Sequence, residues 1–96
     1  MKVYLAGKIT GDPNYREKFA AAERMLEEEG HIVINPAVLP EGLSKADYMR
    51  ICMAMIDSAE VAVFLPDFYC SQGARIEHSY CTYIEKKTLV LKDGDF

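Results

Sequence analysis

Glu77 is the residue best placed to do chemistry, because its position in the sequence does not suit a carboxylate. It lies in "SQGARIEHSY", Ser71 to Tyr80, which follows a strand-like run and has the spacing of the first turns of a helix. At ~100° per residue, Gly73, Ile76, Tyr80, Cys81 and Ile84 share one stripe, while Arg75, His78, Ser79, Thr82 and Glu85 fall on the other side. Glu77 sits in the middle of the apolar stripe. The helix dipole favours acidic residues in early turns, but that explains a solvent-facing glutamate, not one flanked by Ile76, Tyr80 and Cys81. An unpaired buried carboxylate is costly, so a partner or a function must hold it there. Tyr4, on the first strand, can supply a hydroxyl. A carboxylate oriented by a phenol, in a cleft beside a helix N-terminus, is suited to attack a sugar anomeric carbon.

Two further stretches bear on the same site. In "SQGA", Ser71 can cap the third helix and Gly73 can let the backbone approach a ligand closely. The free N–H groups and dipole of that helix end suit an anion such as phosphate, although a capping serine without further duty fits the same residues. "GKITG", Gly7 to Gly11, is not a P-loop. The motif needs glycine where Lys2 stands and Ser or Thr where Ile9 stands. No G-x-G-x-x-G fingerprint occurs either, and no cofactor is expected. The stretch is then a flexible glycine loop over a ligand site or a plain strand-to-helix turn. His78, on the outward helix face, and His31, beside a turn, read as solvated surface residues. No His/Cys/Asp cluster has ligand spacing, so no metal is expected.

The elements that must position these residues alternate strictly. Val3-Tyr4-Leu5-Ala6 is a short apolar run ended by Gly7, a buried strand. Asp12-Pro13 has the form of an N-cap with proline at the first helical position, and Tyr15, Phe19, Ala22 and Leu26 follow at helical spacing to a stop at Gly30. Ile32-Val33-Ile34 is a second strand closed by Asn35-Pro36. Ser44 caps a second helix with Tyr48, Ile51, Cys52, Met55 and Ala59 on one face. Val61 to Leu65 is a third strand, apolar throughout and so buried on both sides. A third helix and a fourth strand, Leu89-Val90-Leu91, complete the chain.

This order predicts a single α/β domain over residues 1–96, a small parallel sheet with right-handed crossovers and helices on both faces. The expected strand order is 2-1-3-4, with a switch point between the first and third strands, where such sheets bind ligands outside the strands' carboxyl ends. Gly7 and Lys8 after the first strand, and Asp67, Phe68, Tyr69, Ser71 and Gly73 after the third, should meet there as substrate-binding residues. Glu77 should look into the same crevice.

Composition narrows the partners. Ninety-six residues bury about 60% of the unfolded chain's surface, enough for one core. A net charge of -4 without basic stretches argues against a nucleic-acid polymer. No apolar run can span a bilayer, and Met1-Lys2-Val3 leads directly into a strand, so neither a membrane association nor a signal peptide is expected. Three scattered cysteines, Cys52, Cys70 and Cys81, suit a reducing cytoplasmic setting.

Tyr4-Leu5-Ala6-Gly7, Leu65-Pro66-Asp67 and Ser71-x-Gly73-x-x-x-Glu77 together resemble the nucleoside 2-deoxyribosyltransferase family, over roughly Lys2 to Leu91. The resemblance is closest to its short bacterial and phage branch. It implies a flavodoxin-like sandwich, usually oligomeric, whose sites are completed across a subunit interface. It also implies that Glu77 attacks C1′ of a 2′-deoxynucleoside, that Tyr4 orients it, and that a second base or water takes the sugar. Ser71 stands where transferases carry a sugar-binding aspartate. Relatives that hydrolyse deoxynucleoside 5′-monophosphates have serine there. Cys52 stands where the family has a base-contacting aspartate, which removes the usual acid for the leaving base.

Two functions follow as expectations. One is an N-glycosidase or deoxyribosyltransferase-like enzyme acting on a (deoxy)nucleoside 5′-monophosphate, with Ser71 and Gly73 at the phosphate and Phe68 or Tyr69 against the base. The other is a nucleotide-binding module without the chemistry. A homodimer or higher homo-oligomer is expected through Tyr48, Met49, Met53, Tyr80 and Tyr83, since aromatic residues and methionine are enriched at interfaces.

Overall fold

The unbroken apolar run Val61–Phe64 can satisfy its side chains only with packing on both faces, and it lies at the heart of the sheet. The computed structural model describes Met1–Phe96. Strands β1 (Lys2–Ala6), β2 (Ile32–Ile34), β3 (Val61–Phe64) and β4 (Lys87–Val90) form one sheet in the order β2-β1-β3-β4. Every pairing is parallel, with Val3 opposite both Val33 and Val61, and Val63 opposite Leu89. The helices are α1 (Tyr15–Glu28), α2 (Lys45–Ser58) and α3 (Gln72–Tyr83), and short 3-10 turns cover Pro36–Val38 and Phe68–Cys70. This is the α/β architecture and strand order expected from the sequence.

Alternation along the strands builds two cores. Val3, Leu5, Val61 and Val63 face α1 and pack on Phe19, Ala22 and Leu26. Tyr4, Ala6, Ala62 and Phe64 face the other way, against Cys52 and Ile56 of α2 and Cys81 of α3. Tyr4 therefore points into the layer that contains Glu77. Ser44 caps α2 through a full capping box with Asp47. No helix is long and apolar enough to cross a membrane.

Several local expectations change. Helix α1 does not begin at Asp12-Pro13: its cap position is Asn14, and its first helical residue is Tyr15. Asp12 instead turns its carboxylate to the Asn14 N–H at 2.9 Å and to Lys18. β4 begins and ends earlier than the apolar run, because its register follows the ladder from β3, and Leu91 N–H then closes on Phe64 O at 2.8 Å. The buried face of α3 is Ala74, Glu77 and Cys81, while Ile76 and Ile84 lie toward its edges and are half exposed. His78 is not a solvated surface residue. Its ring stacks on Phe68 at 5.0 Å and meets Phe64 edge-on at 4.9 Å.

Candidate functional site

Ala74, Glu77 and Cys81 follow one another at helical spacing, so the face that docks α3 on the sheet carries a carboxylate at its centre. Glu77 is 8% exposed. Tyr4 rises from β1 beneath it, fully buried, and its hydroxyl donates to Glu77 Oε1 at 2.8 Å. No protein group bonds Oε2, and that oxygen is not sealed from solvent. Burial pushes the Glu77 carboxyl up to about 7, against the opposing pull of the Tyr4 hydrogen bond. Burial and the neighbouring Glu77 charge hold the Tyr4 phenol well above its ordinary value, so it remains a donor.

Oε2 opens into a cleft of about 640 Å³, within the usual ~300–1,000 Å³ of small-molecule sites. Gly7, Ile9 and Thr10 after β1 form one wall, and Ser71, Gln72 and Gly73 at the start of α3 form another. Tyr48, Met49 and Cys52 of α2 close the third side, while Glu41 and Lys45 stand at the rim. The cleft thus lies past the carboxyl ends of β1 and β3, at the switch point. A shallower depression around Ile34, Ile51 and Met55 contains no carboxylate.

At the α3 end, Ser71 Oγ accepts the Ala74 N–H at 3.2 Å, while the N–H groups of Gln72 and Gly73 have no partner in the chain. A side chain at Gly73 would meet nothing nearer than Ser71 Oγ at 4.0 Å, so the glycine leaves open space on the cleft wall. Gly7 is bare for another reason. A Cβ there would stand 2.8 Å from Leu65 Cδ1, so close packing of the loop on β3's end requires glycine. The Cys52 thiol stands against the Tyr4 hydroxyl, and burial pushes it up to about 11, leaving it protonated.

The remaining expected site residues lie behind the walls. Lys8 N–H donates to Asp67 Oδ1 at 3.1 Å, and Asp67 Oδ2 takes the Lys18 ammonium. Phe68 turns away from the cleft onto His78, and Tyr69 is 65% exposed outside it. The structure therefore brings together Glu77, Tyr4, Gly7, Ser71 and Gly73, and sets Lys8, Asp67, Phe68 and Tyr69 apart.

A sequence profile for a domain family of unknown function, DUF4406, matches residues 1–90. The chain belongs to this family. No curated protein matches it. Among solved structures, it is similar to a 2-deoxyribosyltransferase from the psychrotolerant bacterium Bacillus psychrosaccharolyticus. The TM-score is 0.74 at 20% identity, and the match covers 94% of this chain and 71% of that one. This DUF4406 chain thus has the deoxyribosyltransferase-like fold that its sequence resemblance implied.

Sequence reasoning missed Lys18, Glu41 and Lys45 at this end of the fold. A lysine or glutamate in a polar helix face or loop carries no mark of its partners. Lys18 meets Asp67 across 49 positions, a pairing that only the tertiary fold creates.

Proposed function

We propose that this DUF4406 domain cleaves or transfers the N-glycosidic bond of a nucleoside 5′-monophosphate, with Glu77 as nucleophile. The observation that carries this reading is the buried Glu77 carboxylate, fixed through Oε1 by Tyr4 and open to the cleft through Oε2. A pure anion binder gains nothing from a second negative charge at its floor. In the proposed reaction, Oε2 attacks the anomeric carbon as the carbon–nitrogen bond breaks. The bonding pair leaves on the base nitrogen, which takes a proton from water. A water molecule, or the nitrogen of a second base, then displaces Glu77 from the sugar. Ser71 and the free N–H groups of Gln72 and Gly73 suit the 5′-phosphate, and Tyr48 and Met49 present the cleft's aromatic and apolar wall to the base.

Cys52 favours a second reading, a nucleotide-binding module without turnover. Its protonated thiol occupies the α2 wall and is too weak an acid to assist a departing base. A panel of nucleosides, 2′-deoxynucleosides and their 5′-monophosphates separates the two. Free base should accumulate with a monophosphate, and calorimetry should show it binding more tightly than its nucleoside. Binding without release selects the module, and equal affinities would reduce Ser71 to a helix cap.

A further inference from the structure

The two loops that wall the cleft come from distant parts of the chain, and one ammonium joins them. Lys18 projects from the first turn of α1 and uses its three N–H donors on three acceptors. It donates to Lys8 O at 2.9 Å, to Asp12 Oδ2 at 2.5 Å and to Asp67 Oδ2. The first two acceptors belong to the loop after β1, and the third to the loop after β3. Asp67 completes the tie by accepting the Lys8 N–H through its other oxygen.

Apart from the packing of Gly7 on Leu65 and of Ile9 against the core, little else holds the β1–α1 loop. Its own backbone bonds are local turns, Asp12 N–H to Ile9 O at 3.1 Å and Tyr15 N–H to Asp12 O at 3.3 Å. Helix α1 is anchored separately by Phe19, Ala22 and Leu26 in the core, so the helix does not need Lys18 to dock. The side chain is only 19% exposed. Partial burial works against its charge, but the hydrogen bonds and charges of Asp12 and Asp67 outweigh it and hold the ammonium above the usual lysine range. The Lys18 hydrogen bond in turn holds Asp12 below the usual carboxylate range. Lys18 and Asp12 thus hold each other in their charged forms.

We propose that Lys18 is a positioning residue: its clasp on Lys8, Asp12 and Asp67 sets the distance between the Gly7–Thr10 wall and the start of α3. It touches no ligand. It acts through Asp67, whose loop leads directly into Ser71 and the free N–H groups of Gln72 and Gly73. The inference rests on the reading of the cleft as a nucleotide site. It explains why Asp67 and Lys8, residues at the right places for ligand contacts, face each other behind the wall.

The test compares the unsubstituted protein with Lys18→Met, Lys18→Arg and Asp67→Asn. Calorimetry measures affinity for a 2′-deoxynucleoside 5′-monophosphate, and amide exchange by NMR compares Lys8 with Val63 in β3. Lys18→Met should weaken binding about tenfold, since a displaced wall costs alignment at every contact it carries. It should also speed exchange at Lys8 while leaving Val63 unchanged, a difference that general loss of stability would not produce. Lys18→Arg should restore most of both. Asp67→Asn should behave like Lys18→Met, and combining them should add little, because both break one network. Unchanged affinity in Lys18→Met, or a Lys8 amide as protected as before, overturns the clasp. Were the unsubstituted protein to bind no nucleotide, the functional reading would fall while Lys8 exchange would still decide the clasp.

Discussion

The Tyr4 hydroxyl donates to Glu77 Oε1 at 2.8 Å across 73 positions of sequence. That bond does not make up for burial, and the Glu77 carboxyl rises from an ordinary 4.5 to about 7. Between those values the folded chain retains a proton that the unfolded chain has lost. The stabilisation is therefore complete below about 4.5 and is lost as pH rises through 7. The loss is on the order of 3 kcal/mol. Glu77→Gln keeps an acceptor for Tyr4 and removes the titration. Urea unfolding at pH near 5 and near 8 should show the unsubstituted protein losing stability that the Gln variant retains. Parallel losses in both proteins would place the titrating group elsewhere.

The same titration controls reactivity in the opposite sense. A nucleophile must be ionised, so base release should climb with pH and level off above about 7. Glu77→Ala should abolish release while nucleotide binding survives. Tyr4→Phe removes the hydrogen bond that lowers the Glu77 value, so its rising limb should move to higher pH. The plateau should also fall roughly ten- to hundredfold, as one charge-assisted bond is lost. A rate that instead falls with pH over this range would make Glu77 a proton donor, and the covalent route would be lost.

Two glycines on the cleft should respond to alanine in opposite ways. Gly7→Ala drives a methyl to 2.8 Å from Leu65 Cδ1 and 3.0 Å from its Cβ. Overpacking of this kind costs about 1–3 kcal/mol, and thermal unfolding should register it. Gly73→Ala meets no such contact and lies in the first turn of α3, where alanine is the better helix former by up to ~1 kcal/mol. That variant should be as stable as the parent or more so, yet bind a 5′-monophosphate less well because the methyl crowds the free N–H groups. Undiminished affinity in Gly73→Ala would mean that the phosphate sits elsewhere.

What the sequence made legible is what short-range patterns encode. Strict alternation of apolar runs and helical stripes gave the sheet order, and a single misplaced glutamate gave the floor of the cleft. Capping was read correctly where one residue decides it, at Ser44 and Ser71. It failed at Asp12, whose carboxylate takes the Asn14 N–H and the Lys18 ammonium six positions on, so that the helix starts only at Tyr15. His78 was misread for a similar reason: periodicity placed it outside the stripe, and only the 3-10 turn at Phe68–Cys70 brings an aromatic ring over that side of α3. Lys8 and Asp67 lay in the right loops, but a loop position does not say which way a side chain turns. The Lys18–Asp67 pairing, which spans 49 positions and joins a polar helix face to a polar loop, leaves no local trace.

The chain should associate in solution. A lone domain of 96 residues is marginal, and this one leaves Tyr83 88% exposed beside Ile84, at the end of a helix whose Tyr80 is half buried. The outer seam of α2 and α3, with Met53 and Tyr80 at its edges, is the face an interface would cover. Tyr48 is a weaker candidate than its spacing promised: its hydroxyl donates to Pro40 O at 2.6 Å, and its ring lines the cleft. Tyr80 is tied to Asp57 at 2.7 Å, which fixes its ring along the seam without burying it. Tyr83 has no such tie, so Tyr83→Asp should split an assembly while leaving each fold intact. Dilution of the unsubstituted protein should then lower its thermal midpoint, because the assembled state is the one that association stabilises. Sedimentation at micromolar concentration decides the matter. A species of 10.8 kDa, unchanged by Tyr83→Asp and with a midpoint independent of concentration, would mean that the seam remains open to water.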